Sequence, residues 1–217
     1  HAYHPDAIVL PGDIEAERPL AVELADIADT TRILFIHGNH DSDKADYLDH
    51  LSDPQSAQGN LHGRVVEVGG IRIAGLGGIF RERIWFPPAA PHYLTYQQFC
   101  NTLHDRRPYR ERHLPDTGVF PTQERTHRSS IFHSDYEALF NLRADVLVVH
   151  EAPSCHPYGF EAIDALARAM RVTTVFHGHH HDALDYKRQW ENLGFRVFGV
   201  GYRGITDLQG RVIVPGA

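Results

Sequence analysis

Four stretches of the chain place metal-capable side chains directly after strand-like apolar runs. AIVL-PGD ends in Asp13. RILFI-HGNHD ends in Asn39, His40 and Asp41. DVLVV-HEAP carries His150, and VTTVF-HGHHHD carries His179 and His181. Carboxylate, amide oxygen and imidazole together form a ligand set for borderline divalent ions such as Mn, Fe, Zn or Ni. Thiolates are absent from all four stretches, which argues against a structural zinc site of the cysteine type. A lone Gly-Asp is a common turn, and a lone His-x-His is a weak signal. Four such elements, each at a strand end, are much harder to produce by accident.

These side chains need strands to deliver them. Apolar runs of strand length recur at AIVL (7–10), RILFI (32–36), RVVEV (64–68), IRIAGL (71–76), DVLVV (145–149), VTTVF (172–176), FRVFGV (195–200) and RVIV (211–214). They are rich in β-branched residues, as in a sheet covered on both faces. PLAVELADIAD (19–29) and GFEAIDALARAM (159–170) carry apolar residues at helical spacing, with Leu20, Leu24 and Ile27 on one face of the first. VEVGGIRIAGL predicts a hairpin across Gly69-Gly70. The fold class is therefore α/β. In open α/β sheets, ligands bind at the carboxyl ends of strands, where the four motifs lie. Gly12, Gly38 and Gly178 each precede a candidate ligand, where the backbone must turn sharply.

PGD (11–13), GNHD (38–41), VVH (148–150) and GHHH (178–181) resemble the calcineurin-like metallophosphoesterase superfamily, whose pattern runs DxH, GD, GNH[DE], H, GHxH. The resemblance implies a β-sandwich flanked by helices and a hydrolase with two divalent metal ions. Carried over residue by residue, Asp13 bridges two metals and Asn39, His150 and His179 complete the ligands of the second. His181 binds the first. His40 lies just outside, oriented by Asp41, and donates a proton or hydrogen bond to the phosphoryl group. His177 and His180 have no role in the pattern and are expected to be exposed or to sit behind the ligands. The implied reaction is attack of a metal-bound hydroxide on a phosphodiester or small phosphate ester. Ligating histidines must be neutral, so activity is expected to fall on the acid side.

The DxH element is absent. Only twelve residues precede Asp13, and His1 and His4 lie before the AIVL strand, at its wrong end. A missing natural upstream segment is the preferred account, since loss of a central strand would expose a sheet edge. The alternative is a first metal site with only Asp13 and His181, and so one ion instead of two. In that case a catalytically impaired scaffold that binds partners is the competing function. A nucleic-acid-binding module is a third.

The stretch from Phe80 to Phe132 breaks the α/β pattern, with six prolines and the arginine-rich HDRRPYRERH (104–113). A cap or insertion at about 81–132 over a single domain (1–217) is expected, with one short helix near TYQQFCNTL (95–103). Arg81, Arg83, Arg106, Arg107, Arg110, Arg112, Arg125 and Arg128 suit phosphate contacts. Trp85, Phe86, Tyr93, Tyr96 and Tyr109 suit base stacking. Interleaved Asp105, Glu111, Asp116 and Glu124 make a solvated, ion-paired cap the blander expectation. RIAGLGGIF (72–80), HRSSIFHSDYEAL (127–139) and VVHEAP (148–153) loosely resemble the RNA lariat debranching branch, which hints at a nucleotide or nucleic-acid substrate.

The net charge of −7 gives no general attraction to nucleic acid or anionic membranes. No apolar run approaches the ~18 residues a membrane span needs. Cys100 and Cys155 form no disulfide framework, so a reducing, cytoplasmic compartment is expected.

Overall fold

The strand-like runs pair into two sheets, and the alternation of their side chains decides what lies between them. A computed structural model describes residues 4–106, 122–182 and 184–217. β1 (Ala7–Pro11) and β2 (Arg32–Ile36) form a parallel pair, with Ala7 opposite Arg32 and Pro11 opposite Ile36. β3 (Arg64–Val68) and β4 (Ile71–Leu76) form an antiparallel hairpin. Gly69 and Gly70 at its tip have φ of 57° and 79°, both positive, as the favoured two-residue turn requires. β4 continues in parallel into β5 (Val146–Val149), β6 (Thr174–His177) and β7 (Arg196–Gly199), giving the order β3-β4-β5-β6-β7. β8 (Ile205–Thr206) and β9 (Val212–Val214) make a short antiparallel pair.

Successive side chains of a strand face opposite ways. Leu34 and Ile36 of β2 join Ile73, Val146, Val148 and Phe176 in a buried layer between the two sheets. Phe35 points the other way, onto Ala16, Leu20, Leu48 and Leu51. Those residues belong to the loop after β1 and to helices α1 (Leu20–Glu23) and α3 (Ala45–Leu51), with α2 (Ala25–Ala28) between them. α4 (Tyr96–Arg106), α5 (Thr122–His127) and α6 (His133–Phe140) lie in the stretch before β5. Leu147 and Val149 face away from the inter-sheet layer, onto Ile163, Leu166, Ala167 and Met170 of α7 (Glu161–Met170). The architecture is the expected β-sandwich with helices on its outer faces. Full burial of one such aliphatic side chain contributes about 1.5–3 kcal/mol, so β5, buried at all four positions, is a firm support.

One expectation is corrected. The helix predicted over 19–29 breaks at Leu24 (φ −105°, ψ 19°) into the single turns α1 and α2. Leu20 is buried but Ile27 is 37% exposed, so only the first turn reaches the core. A helix this short has little stability without such packing. Among the described residues, most of the cap aromatics that could have stacked on a base turn inward instead. Trp85 is buried, and Tyr93 and Tyr96 pack against the same core as Ile84, Phe99 and Ile131. Their large apolar area is worth more inside than at a wet rim. Phe86 alone of the described members is exposed, while Tyr109 and Arg107, Arg110 and Arg112 lie outside the described residues. Of the arginines, Arg81 donates to Ser129 O and Ser130 Oγ, and Arg128 pairs with Asp49 at 2.8 Å.

Candidate metal centre

The strands β1, β2, β5 and β6 all end on the same side, and the residues after each end converge. Asp13 follows β1, Asn39 follows β2, His150 follows β5, and His179 and His181 follow β6. Asp13, His150 and His179 bring one ligand atom each within 4.8 Å of one another. His150 Nε2 lies 3.2 Å from Asp13 Oδ2 and 3.1 Å from Asn39 Oδ1. His181 Nε2 is further out, 4.0 Å from Asp13 Oδ2. The structure thus gathers Asp13, Asn39, His150 and His179 closely and leaves His181 at the edge.

The loops reach this geometry only through unusual backbone. Asp13, His179 and His181 have φ of 52°, 59° and 56°, a left-handed region costly for residues with a Cβ. The His180 N–H donates to Gly178 O at 2.7 Å, closing a three-residue turn around His179. A Cβ on Gly38 would run into Asp13 Oδ1 and the His150 ring, and one on Gly12 into His150 Nδ1. Both positions need glycine because the loops after β1 and β2 touch each other and the His150 ring.

Tautomers follow from the hydrogen bonds. His150 Nδ1 lies 2.8 Å from Pro11 O. A carbonyl accepts only, so Nδ1 carries a proton, and Nε2, the nitrogen that faces Asp13 and Asn39, is the one that would bind a metal when the ring is neutral. Asp13 Oδ1 accepts the His40 N–H at 2.8 Å, whereas the buried Oδ2 has no hydrogen-bond partner and meets only the His150 ring, 3.2 Å away. Burial alone would raise the Asp13 pKa, but His150 and the His40 amide outweigh it and hold the carboxyl below its usual value. Burial would lower His150, but Asp13 raises it. Burial, reinforced by His150, pushes His179 down to about 4, so its imidazole is neutral at pH 7. Three electron-pair donors thus face one another with no proton donor between them unless His150 takes a second proton. This environment suits a divalent cation.

His40 and Asp41 part company. His40 is half exposed at the rim, and its Nδ1 lies 2.7 Å from Asp43 Oδ2. That hydrogen bond raises the His40 pKa, with Asp13 adding to the effect. Asp41 does not orient His40. It is fully buried and accepts three backbone N–H groups, from Ile14 (2.8 Å), Glu15 (2.7 Å) and Gly38 (2.7 Å). Its task is to tie the loop after β1 to the loop after β2. The partner the sequence reading missed, Asp43, stands three residues after His40 and was legible only as a spacing.

The remaining histidines of the HGHHH run, His177 and His180, have different surroundings. His177 is fully buried in β6. Its Nδ1 donates to Gly178 O, so Nε2 accepts from the Tyr186 hydroxyl at 3.1 Å. Burial drives its pKa down to about 4. His180 stacks on His156 with ring centres 3.8 Å apart, and with Glu151 and His179 forms a second group of convergent ligand atoms. Glu151 is buried, accepts the Phe80 N–H at 2.9 Å, and is pushed by burial up to about 7. Behind Asn39, the Ser42 and Ser129 hydroxyls lie 2.7 Å apart and within 3.0 and 3.4 Å of Asn39 O. These serines brace the loop and carry no sequence signal of that role.

No helix among the described residues is long and apolar enough to cross a membrane. Cys100 and Cys155 are free thiols.

Comparison with known proteins agrees with this geometry. An uncharacterized protein of Haemophilus influenzae is 39% identical over 208 residues, spanning 96% of this chain and 85% of its own length. The crystal structure of TT1561 of Thermus thermophilus shares the fold, with a TM-score of 0.53 at 14% identity over 97% of this chain and 86% of that one. The profile of the family described as calcineurin-like phosphoesterase matches residues 1–183. With its sandwich, its converging strand ends and that match, the chain belongs to the calcineurin-like phosphoesterase family of hydrolases.

Proposed function

We propose that the protein is a metal-dependent hydrolase of a phosphodiester or small phosphate ester, supported by manganese and working in the cytoplasm. The observation that carries this reading is the convergence at His150 Nε2 of the buried Asp13 Oδ2, which meets no hydrogen-bond partner, and of Asn39 Oδ1. Asp13, Asn39, His150 and His179 would hold one divalent ion. Asp13 and His181 alone would hold a second more weakly. A bound ion of this kind lowers the pKa of a water toward neutrality and draws charge from the phosphoryl oxygens.

The chain's own groups supply the rest. Asp13 commits Oδ1 to the His40 amide, which would leave Oδ2 for the ion. His150 is fixed in the right tautomer by Pro11 O. His40, at the rim, is placed to donate a hydrogen bond or proton to a phosphoryl oxygen or leaving group, and Asp43 favours its protonated form. Asp41 acts by position, holding the two loops together.

The test is Mn-supported hydrolysis of bis-p-nitrophenyl phosphate and p-nitrophenyl phosphate, with His40→Ala alongside. Turnover by the parent chain is expected, lowered about 10²- to 10⁴-fold by the substitution, as for loss of a general acid. A preference for the diester would support nucleotide or nucleic-acid substrates. A chain that neither binds manganese nor turns over either ester would overturn the reading.

A further inference from the structure

Beside the centre, a short loop presents one aromatic ring to solvent. Tyr158 is 75% exposed, more than any other large apolar side chain among the described residues, where Ile205 is next at 56%. An isolated exposed tyrosine means little. This one stands on a backbone fixed by hydrogen bonds. Its N–H donates to His156 Nδ1 at 3.1 Å, the Gly159 N–H to His156 O at 2.9 Å, and the Phe160 N–H to Ala152 O at 2.9 Å. A Cβ on Gly159 would collide with Pro153 O, so the loop is closed as tightly as its backbone allows.

The loop is also fastened to the centre at both ends. It begins two residues after His150. His156 is buried, stacks on His180, and its Nε2 lies 3.2 Å from Asp182 Oδ2. The Tyr158 ring is 6.0 Å from the His180 ring, which is 4.8 Å from the His179 ring. Neighbouring rings meet Tyr158 only at tilts of 48° and 33°, leaving a face to solvent. Across the histidine turn, Tyr202 is different. It stacks on His181 at 5.0 Å, and the Arg203 guanidinium sits 4.9 Å from its ring centre.

We propose that Tyr158 is a specificity-determining residue, the platform on which a planar aromatic part of the substrate stacks while its phosphoester faces Asp13, His150 and His179. The proposal rests on the phosphoesterase reading and narrows it to esters that carry a nucleobase or similar ring. On a hydrogen-bonded backbone a tyrosine ring has only two side-chain torsions left to order, so its stacking contributes to affinity with little offset.

Adenosine 5′-monophosphate and ribose 5-phosphate separate the ring from the phosphate, because they differ in the base. Titration calorimetry with the Mn-loaded chain is expected to show the nucleotide binding about tenfold or more tightly than the sugar phosphate, within the range of base-on-aromatic stacking. Tyr158→Ala should erase that ratio while leaving the sugar phosphate affinity unchanged, and Tyr158→Phe should keep it. Equal affinities in the parent chain, or a Tyr158→Ala loss shared by both ligands, would overturn the proposal. A chain that hydrolyses p-nitrophenyl esters without favouring the nucleotide sinks only this inference. A chain that hydrolyses nothing and binds neither ligand sinks the phosphoesterase reading with it.

Discussion

The two sides of the centre are held by different forces. His150 and His179 leave β5 and β6, whose residues are buried at every position. Asp13 and Asn39 leave β1 and β2, and β1 is only half-buried along its whole length. On the five-stranded side, packing aims the ligands. On the two-stranded side, where only the end of β2 is fully buried, directed hydrogen bonds add to the packing, above all the three that Asp41 accepts from Ile14, Glu15 and Gly38. Packing is tolerant in direction and large in total. A hydrogen-bonded clamp is smaller but fixes angles. The difference predicts that stability and metal affinity respond to different substitutions on the two sides.

Leu147→Ala should have the largest effect on stability. It opens a cavity beneath β5 and is expected to cost roughly 2–5 kcal/mol in urea unfolding. Manganese affinity of the molecules that remain folded should hold within about twofold. A tenfold weaker affinity would break the comparison.

Asp41→Ala should do the reverse. It strands three amide donors and is expected to cost roughly 2–3 kcal/mol, less than the core change. Manganese affinity should fall about 10- to 100-fold, as when a group that orients metal ligands is removed. Calorimetric titration reads this directly, and an unchanged affinity would show that the loops hold their shape without the clamp.

Titration sharpens the contrast. His177, buried in β6, has a folded pKa of about 4 against an ordinary value of 6.5. Below pH 6.5 the unfolded chain takes up a proton that the folded one refuses, so stability falls as pH drops from 6.5 toward 4. At pH 5 the loss from this group alone is about 2 kcal/mol. His177→Gln, measured without metal, should shrink the pH 7 to pH 5 difference in stability by about that amount. His40 on the other side behaves oppositely. Its folded pKa is raised, so its small contribution is present at low pH and fades as pH rises through that value. Being half exposed, its pair with Asp43 is worth less than about 1 kcal/mol. Asp43→Asn should lower the His40 midpoint in a proton NMR titration and barely move the unfolding curve. A midpoint that stays in place would remove Asp43 as its partner.

Much of the sandwich was legible in the chain. β-branched runs of strand length, the Gly-Gly hairpin and the helical spacing over 159–170 are local signals, and local sterics enforce them. The strand-end motifs were legible for a related reason, since ligand types directly after apolar runs leave few other arrangements. Asp41 and Asp43 were not separable in the sequence. Both follow His40 within three residues, and only the path of the loop after β1 decided which one turns inward. Which way Trp85, Tyr93 and Tyr96 of the cap face was not legible, because composition does not record which face of an irregular segment meets the core.

The sequence by itself determined most of the strands and the donor types at their ends, because these depend on side-chain shape and periodicity over a few residues. Only the tertiary structure decided that Asp13, His150 and His179 meet, that His177 is buried in neutral form, and that Tyr158 stands clear. Each of these depends on contacts between residues far apart in the chain, where the burial of one group sets the charge and direction of another.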